Sequence, residues 1–174
     1  MKNKKILIIA PARWAKDTMA EILNKHFDFT FESSSMAASK IFIYDALKEK
    51  YGYASPEECF SDRVNHRAEW YNLICDYNKD DKARLAKSIL ENSDSYIGMR
   101  DFHELDECIV QHLFDLIVWI DASERLPMED ASSFNIDKSY ADIIIDNNGT
   151  LEEFERRVLN FGNFFLKKKH DLVL

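Results

Sequence analysis

The sequence predicts an α/β fold: a five-stranded, mostly parallel sheet flanked by helices, with one helical insertion. Two observations predict it. Short apolar runs alternate with stretches of helical periodicity, the pattern of a parallel sheet covered by crossover helices. The first run, Ile6–Ile9, is apolar at every position, as a strand buried on both faces must be. A length of 174 residues fits one domain with a sizeable core.

The elements follow in order. Lys5–Ala10 reads as the first strand, and a helix runs from Lys16 to about His26 through Met19, Ile22 and Leu23. Phe29–Glu32 is a short second strand. Ser33-Ser34-Ser35 can cap a helix carried by Ile41, Tyr44, Leu47 and Tyr51, and Gly52 ends it. Ser55-Pro56-Glu57-Glu58 is a strong helix start, with Ser55 as N-cap and Pro56 in the first turn. Arg67–Tyr77 and Lys82–Leu90 read as amphipathic helices. Tyr96–Gly98 is a third strand, Phe102–Val110 a helix, and Leu116–Ile120 a central strand ending at Asp121. Residues 122–140 are polar and irregular, long enough for a lid or an active-site loop. Ala141–Asp146 is the last strand, Asn147-Asn148-Gly149 a turn, and Thr150 caps a helix over Leu151–Phe165. Lys167-Lys168-Lys169 reads as the solvated end of that helix. The chain is thus one domain, with a core of 1–54 and 94–174, an insertion of 55–93 and a lid-like loop of 122–140.

The net charge of −8 argues against nucleic acid as a partner without excluding a local basic cleft. Cys59, Cys75 and Cys108 are widely spaced and read as reduced thiols in or near the core. No run approaches the roughly 20 apolar residues of a membrane span, and no leader is evident, so the cytoplasm is the expected compartment. The five histidines form no zinc-binding pattern.

The chemistry concentrates at the turn after the first strand. The Walker A pattern, G-x-x-x-x-G-K-[ST], places backbone amides, a lysine and a hydroxyl around phosphates. Laid over this chain, its glycines fall on Ala10 and Ala15, its lysine on Lys16 and its hydroxyl on Asp17. The frame of strand, loop and helix fits. Alanine where the backbone takes positive φ costs roughly 1 kcal/mol or more.

Lys16-Asp17-Thr18 and the helix Met19-Ala20-Glu21-Ile22-Leu23 resemble the G-K-D-T segment of phage deoxynucleoside monophosphate kinases, a P-loop kinase family. Aspartate follows the loop lysine in that segment, so Asp17 fits the resemblance while Ala10 and Ala15 depart from it. Further stretches are similar to small phage proteins related to those kinases: Tyr51–Cys59, Asp62–Trp70, Gly98-Met99-Arg100, Asp121–Pro127, and Ala141-Asp142 through Thr150. The resemblance spans most of the chain. It implies a P-loop nucleoside monophosphate kinase-like fold, ATP and Mg2+ as cofactors, and a small nucleotide as substrate. It leaves a homodimer open, and places the protein in a host cytoplasm if phage-encoded.

Carried over by position, the resemblance implies that the loop residues Arg13, Trp14, Ala15, Lys16, Asp17 and Thr18 bind the donor nucleotide. Lys16 would touch the β- and γ-phosphates. Arg13 is either a second cation or a solvated loop residue. Asp17 either holds Mg2+ or serves as a first-turn acid, and Thr18 either meets the α-phosphate or helps start the helix. Arg100, at the end of the third strand, would contact the acceptor phosphate or the transition state. Asp121 would orient water on Mg2+, or cap a turn. Arg125 would act as a lid arginine on the transferring phosphoryl group. Asn147 and Asn148 would lie near the adenine ring, or simply form a turn.

Arg63, His66 and Arg67 recur at helical spacing, so three cations would share one face, fit for an acceptor monophosphate or merely solvated. Trp70 and Tyr71 would stack on a base or belong to the core. The expected activity is phosphoryl transfer from ATP to a deoxynucleoside monophosphate. Two alternatives stand beside it: a catalytically weakened kinase fold that binds nucleotide or a protein, and a kinase for hydroxymethylated pyrimidines in DNA, for which Arg63, Arg67, Arg84 and Lys87 supply a basic face.

Overall fold

The sheet is built on the run Ile6–Ile9 (β1), which is buried at every residue. The computed structural model describes residues 4–166; the expected helix end at Lys167–Lys169 lies outside them. The other strands are Phe31–Ser33 (β2), Ser95–Ile97 (β3), Leu116–Asp121 (β4) and Ile143–Asp146 (β5). Their lateral order is β2-β3-β1-β4-β5, and every pairing is parallel rather than mostly so. Ile9 pairs with Trp119, Ile8 with Ile97, and Asp121 with Asp146. The carboxyl ends of all five strands therefore open on one edge. The connections of β1 and β4 leave in opposite directions, and this reversal makes the crevice at their ends the expected ligand site.

Several helices match the sequence to the residue. Lys16–His26 (α1), Arg67–Tyr77 (α5), Phe102–Val110 (α7) and Leu151–Phe165 (α8) do so. Thr150 caps α8 with a full capping box: its side chain accepts from the Glu153 amide, and the Glu153 carboxylate accepts from the Thr150 amide. Ser33 caps Ser34–Ala38 (α2), which continues through a π-helical turn, Ser39–Ile43, into Tyr44–Tyr51 (α3). Gly52 closes that run at φ 73°, the left-handed position where a side chain would be strained. Ser55 accepts from the Glu58 amide and Pro56 opens Pro56–Asp62 (α4).

Several boundaries shift: the first strand narrows from Lys5–Ala10 to Ile6–Ile9, and the third moves from Tyr96–Gly98 to Ser95–Ile97. The second strand starts later than Phe29, because Phe29 is buried in the core while Thr30 is tied to Asp94 by two hydrogen bonds to its carboxylate. The helix expected from Lys82 is Arg84–Leu90 (α6); Asp81 accepts from the Ala83 amide and holds the preceding turn. The last strand begins at Ile143, since Lys138–Tyr140 forms a 3-10 turn.

The core is continuous around β1 and β4. Trp14, Trp119, Phe27, Phe29 and Phe154 are its largest fully buried side chains. α1 packs closely on α8, where a Cβ at Gly162 would sit 2.2 Å from the Phe27 ring. Cys59 and Cys108 are buried as expected, whereas Cys75 is exposed on α5. Among the described residues no helix is long and apolar enough to cross a membrane.

Candidate functional site

The loop between β1 and α1 is short and bent. The Trp14 amide donates to the Pro11 carbonyl at 3.3 Å, closing a turn. Arg13 and Ala15 both take positive φ, 68° and 75°. Ala15 is the N-cap of α1 in the left-handed region, and no side chain caps the helix there. The first-turn amides of α1 are thus left to solvent or a ligand, at the positive end of the helix dipole. Ala10 behaves differently: it is buried, and its φ is not in the left-handed region.

Lys16 is the first residue of α1. Its side chain is largely sheltered and lies 3.6 Å from the carboxylate of Asp17, which is exposed. Arg100 extends from the loop after β3. Its Nη1 donates to Glu129 Oε1 at 2.8 Å and to the Ser133 carbonyl at 3.4 Å. Glu129 Oε2 accepts from the Ala12 amide at 2.7 Å. Burial pushes the Glu129 carboxyl up, but Arg100, the Ala12 amide and the charge of Lys16 outweigh it and hold it below the usual range. The groups of the loop and of β3 thus converge on one carboxylate. The sequence marked the 122–140 segment but not this acid; the pairing spans 117 positions and leaves no local signal.

The other expected residues fall into three groups. Trp14 is buried rather than presented to a ligand: its ring meets Trp119 edge-on at 6.3 Å, and its carbonyl accepts from Asn147 Nδ2. Behind it lies a cavity of about 140 Å³, lined by Trp14, Trp119, Asp121, Met128 and Lys138 among others. Asn147, Asn148 and Arg125 stitch the strand ends together. The Asn147 amide donates to the Asp121 carbonyl at 2.7 Å, Asn148 Oδ1 accepts from the Glu124 amide, and Arg125 Nε donates to the Asn147 carbonyl at 2.6 Å.

Asp121 accepts from the Ser123 amide and lies 3.6 Å from Lys138. Burial would raise its carboxyl, yet Ser123 and Lys138 hold it below the usual range. Among the described residues no three His, Cys, Asp or Glu side chains cluster into a metal site. Each of Asp17 and Asp121 has a lysine at 3.6 Å, but Asp17 is exposed at the loop whereas Asp121 is sheltered and has one oxygen taken by the Ser123 amide. Magnesium is commonly held by one or two carboxylates together with substrate phosphates.

The insertion corrects the sequence most. Arg63, His66 and Arg67 do not lie on one continuous helix. Arg63 starts a 3-10 turn, Arg63–Asn65, and His66 sits at the N-cap of α5 with φ −129° and ψ 31°. The turn replaces helical spacing with a change of direction. Arg63 packs over the Phe60 ring at 3.8 Å and donates to the Phe60 carbonyl. His66 is bonded to Asp62 at 3.0 Å and lies against the Tyr51 ring. Arg67 is exposed. Trp70 is buried and unable to stack on a substrate base, while Tyr71 is exposed.

A second sheltered acid lies on α7. Tyr96 of β3 donates its hydroxyl to Glu104 of α7 at 2.8 Å. Burial pushes the Glu104 carboxyl up to about 7, against the lowering effect of that hydrogen bond. Each sits in an ordinary element, Tyr96 on β3 and Glu104 on α7, and nothing local in the sequence pairs them.

No known family model matches the chain, and no curated protein matches it.

Proposed function

We propose that this chain transfers a phosphoryl group from ATP to a deoxynucleoside monophosphate, as a P-loop kinase-like enzyme. The observation that carries the reading is the loop after β1. It delivers Lys16 to the first residue of an uncapped helix, beside an amide and an arginine that together bind an anion. The parallel sheet in the order β2-β3-β1-β4-β5 supports it, because the loop opens at the reversal of strand order.

In this reading the first-turn amides of α1 and Lys16 receive the donor phosphates. Arg100, across the crevice, neutralises the acceptor phosphate. Asp17 would hold Mg2+ together with phosphate oxygens, supplying positive charge to the donor. The acceptor oxygen displaces ADP in line, so the chain contributes positioning and charge rather than a covalent intermediate. An assay with labelled ATP against the four deoxynucleoside monophosphates tests it. Transfer to at least one is expected; no transfer to any by folded protein overturns it.

One observation favours a second reading, nucleotide binding without efficient turnover: Ala15 holds at φ 75° a position that glycine occupies without strain. Calorimetry with ATP–Mg2+ separates the two, since binding without transfer supports the second. Duplex DNA is less favoured as acceptor. Arg63 is folded onto Phe60, Arg84 onto Tyr77, and Lys87 is paired with Asp81, so little of the basic insertion face remains for a phosphate backbone.

A further inference from the structure

The anion held at the loop belongs to the chain itself. Glu129 is flanked by the exposed residues Met128 and Asp130, yet its own side chain is sheltered, about 20% exposed. The two oxygens reach different parts of the site: one the Ala12 amide of the β1–α1 loop, the other Arg100 beyond β3. Beyond Glu129 the segment is anchored to the body. Phe134 is buried against Trp119, the Asn135 amide donates to the Arg100 carbonyl at 3.1 Å, and Asn135 Oδ1 accepts from the Phe102 amide at 2.6 Å. Before it, the Leu126 amide donates to the Ala122 carbonyl at 2.9 Å. The stretch 127–130 thus spans two fixed points, and its acid bridges both walls of the crevice.

We propose that Glu129 is an internal competitor for the phosphate site: its carboxylate holds the Ala12 amide and Arg100 until an incoming phosphate oxyanion displaces it. The inference rests on the loop being a phosphate site, as proposed above. Two anions cannot share these donors without like-charge repulsion, so binding requires the 127–130 stretch to swing away. Apparent affinity is then reduced by the fraction of molecules with Glu129 released.

The test is calorimetric titration of the full chain with tripolyphosphate, comparing the native protein with Glu129→Gln and with Lys16→Ala. Glutamine keeps the shape and removes the charge. Glu129→Gln is expected to bind about tenfold tighter than the native chain, and Lys16→Ala to lose binding. Equal or weaker binding by Glu129→Gln, with binding still lost in Lys16→Ala, overturns the competitor while leaving the phosphate site standing. Absence of binding in both native and Glu129→Gln protein, or binding undiminished in Lys16→Ala, overturns both.

Amide hydrogen exchange on the native chain gives a readout that does not depend on the variant folding. Saturating tripolyphosphate should slow exchange over 12–18 and speed it over 127–130. Slower exchange over both stretches, or no change over 127–130, overturns the competitor.

Discussion

The crevice at the β1–α1 loop, with Lys16, Arg100 and Glu129 around it, and the 55–93 insertion both hold charged side chains, but they satisfy them in different ways. In the insertion, the partners come from the insertion itself or from the chain just before it. Asp62 accepts from the Tyr53 hydroxyl at 2.6 Å, from Asn65 at 2.6 Å and from His66 at 3.0 Å. Glu69 takes Lys50 at 2.7 Å and Tyr51 at 2.6 Å. At the loop, Ala12 and Arg100 find their anion in a segment remote in sequence from Ala12. Pairs closed over such short spans contribute mostly to holding neighbouring elements together. A charge cluster closed only by a distant, exposed stretch can exchange that partner for a ligand. The difference teaches that cations at helical spacing are a poor sign of a binding face when acids sit three or four residues away.

The sharpest way to break this comparison is to remove one charge from each region. Lys16→Ala should lower kcat/KM for phosphoryl transfer by about 100-fold or more, the usual loss when a preorganised charge-stabilising group is removed. Arg63→Ala should lower thermal stability, because its guanidinium packs on Phe60, and leave the KM for acceptor within about twofold. Steady-state kinetics on both variants checks it. A large rise in acceptor KM for Arg63→Ala would restore the insertion as a binding face.

Glu104 sharpens the comparison from another side. Glu129 is held ionised by an arginine, an amide and a nearby lysine, whereas Glu104 is buried against a neutral phenol and pushed up to about 7. A carboxyl raised on folding binds its proton more tightly in the native state. Its stabilising effect is therefore full below the ordinary value near 4.5 and is lost as pH rises toward 7. The cost of ionising it should reach on the order of 3 kcal/mol at pH 8. Glu104→Gln keeps an acceptor for Tyr96 and carries no charge. Denaturant unfolding at pH 4.5 and pH 8 should show the variant gaining on the native chain as pH rises. A gap independent of pH would mean that Glu104 is not buried as an acid.

Much of the fold was legible because its signals are local. Thr150 and Ser55 cap the helices they were expected to cap, and α1, α5, α7 and α8 follow their periodicity to the residue. The all-apolar β1 announced a strand buried on both faces. What was not legible depends on tertiary geometry. The 3-10 turn at Arg63–Asn65 and the bend at His66 break the continuous helix that would have aligned Arg63, His66 and Arg67, and spacing alone carries no trace of it. Trp14 has the sequence position of a loop residue but the burial of a core residue, since Trp119 and Asn147 reach it from β4 and the β5 turn. Glu129 is one acid among several in an irregular segment until the fold brings it to Ala12.

The smallest expected effect separates two residues that the sequence treats alike. Ala10 and Ala15 both stand where the Walker pattern has glycine, but only Ala15 adopts positive φ. Ala15→Gly removes a Cβ held in the left-handed region and should stabilise the chain by about 1 kcal/mol, the strain relieved less the greater freedom of glycine when unfolded. Ala10→Gly removes a buried methyl from an ordinary backbone and should cost about 1–2 kcal/mol. The double substitution should leave stability near its starting value, the two effects opposing one another. Denaturant midpoints of the three variants check this at constant m. If both single variants shift the same way, the backbone at Ala15 is not strained as its φ of 75° requires, and alanine there no longer distinguishes this loop from one built on glycine.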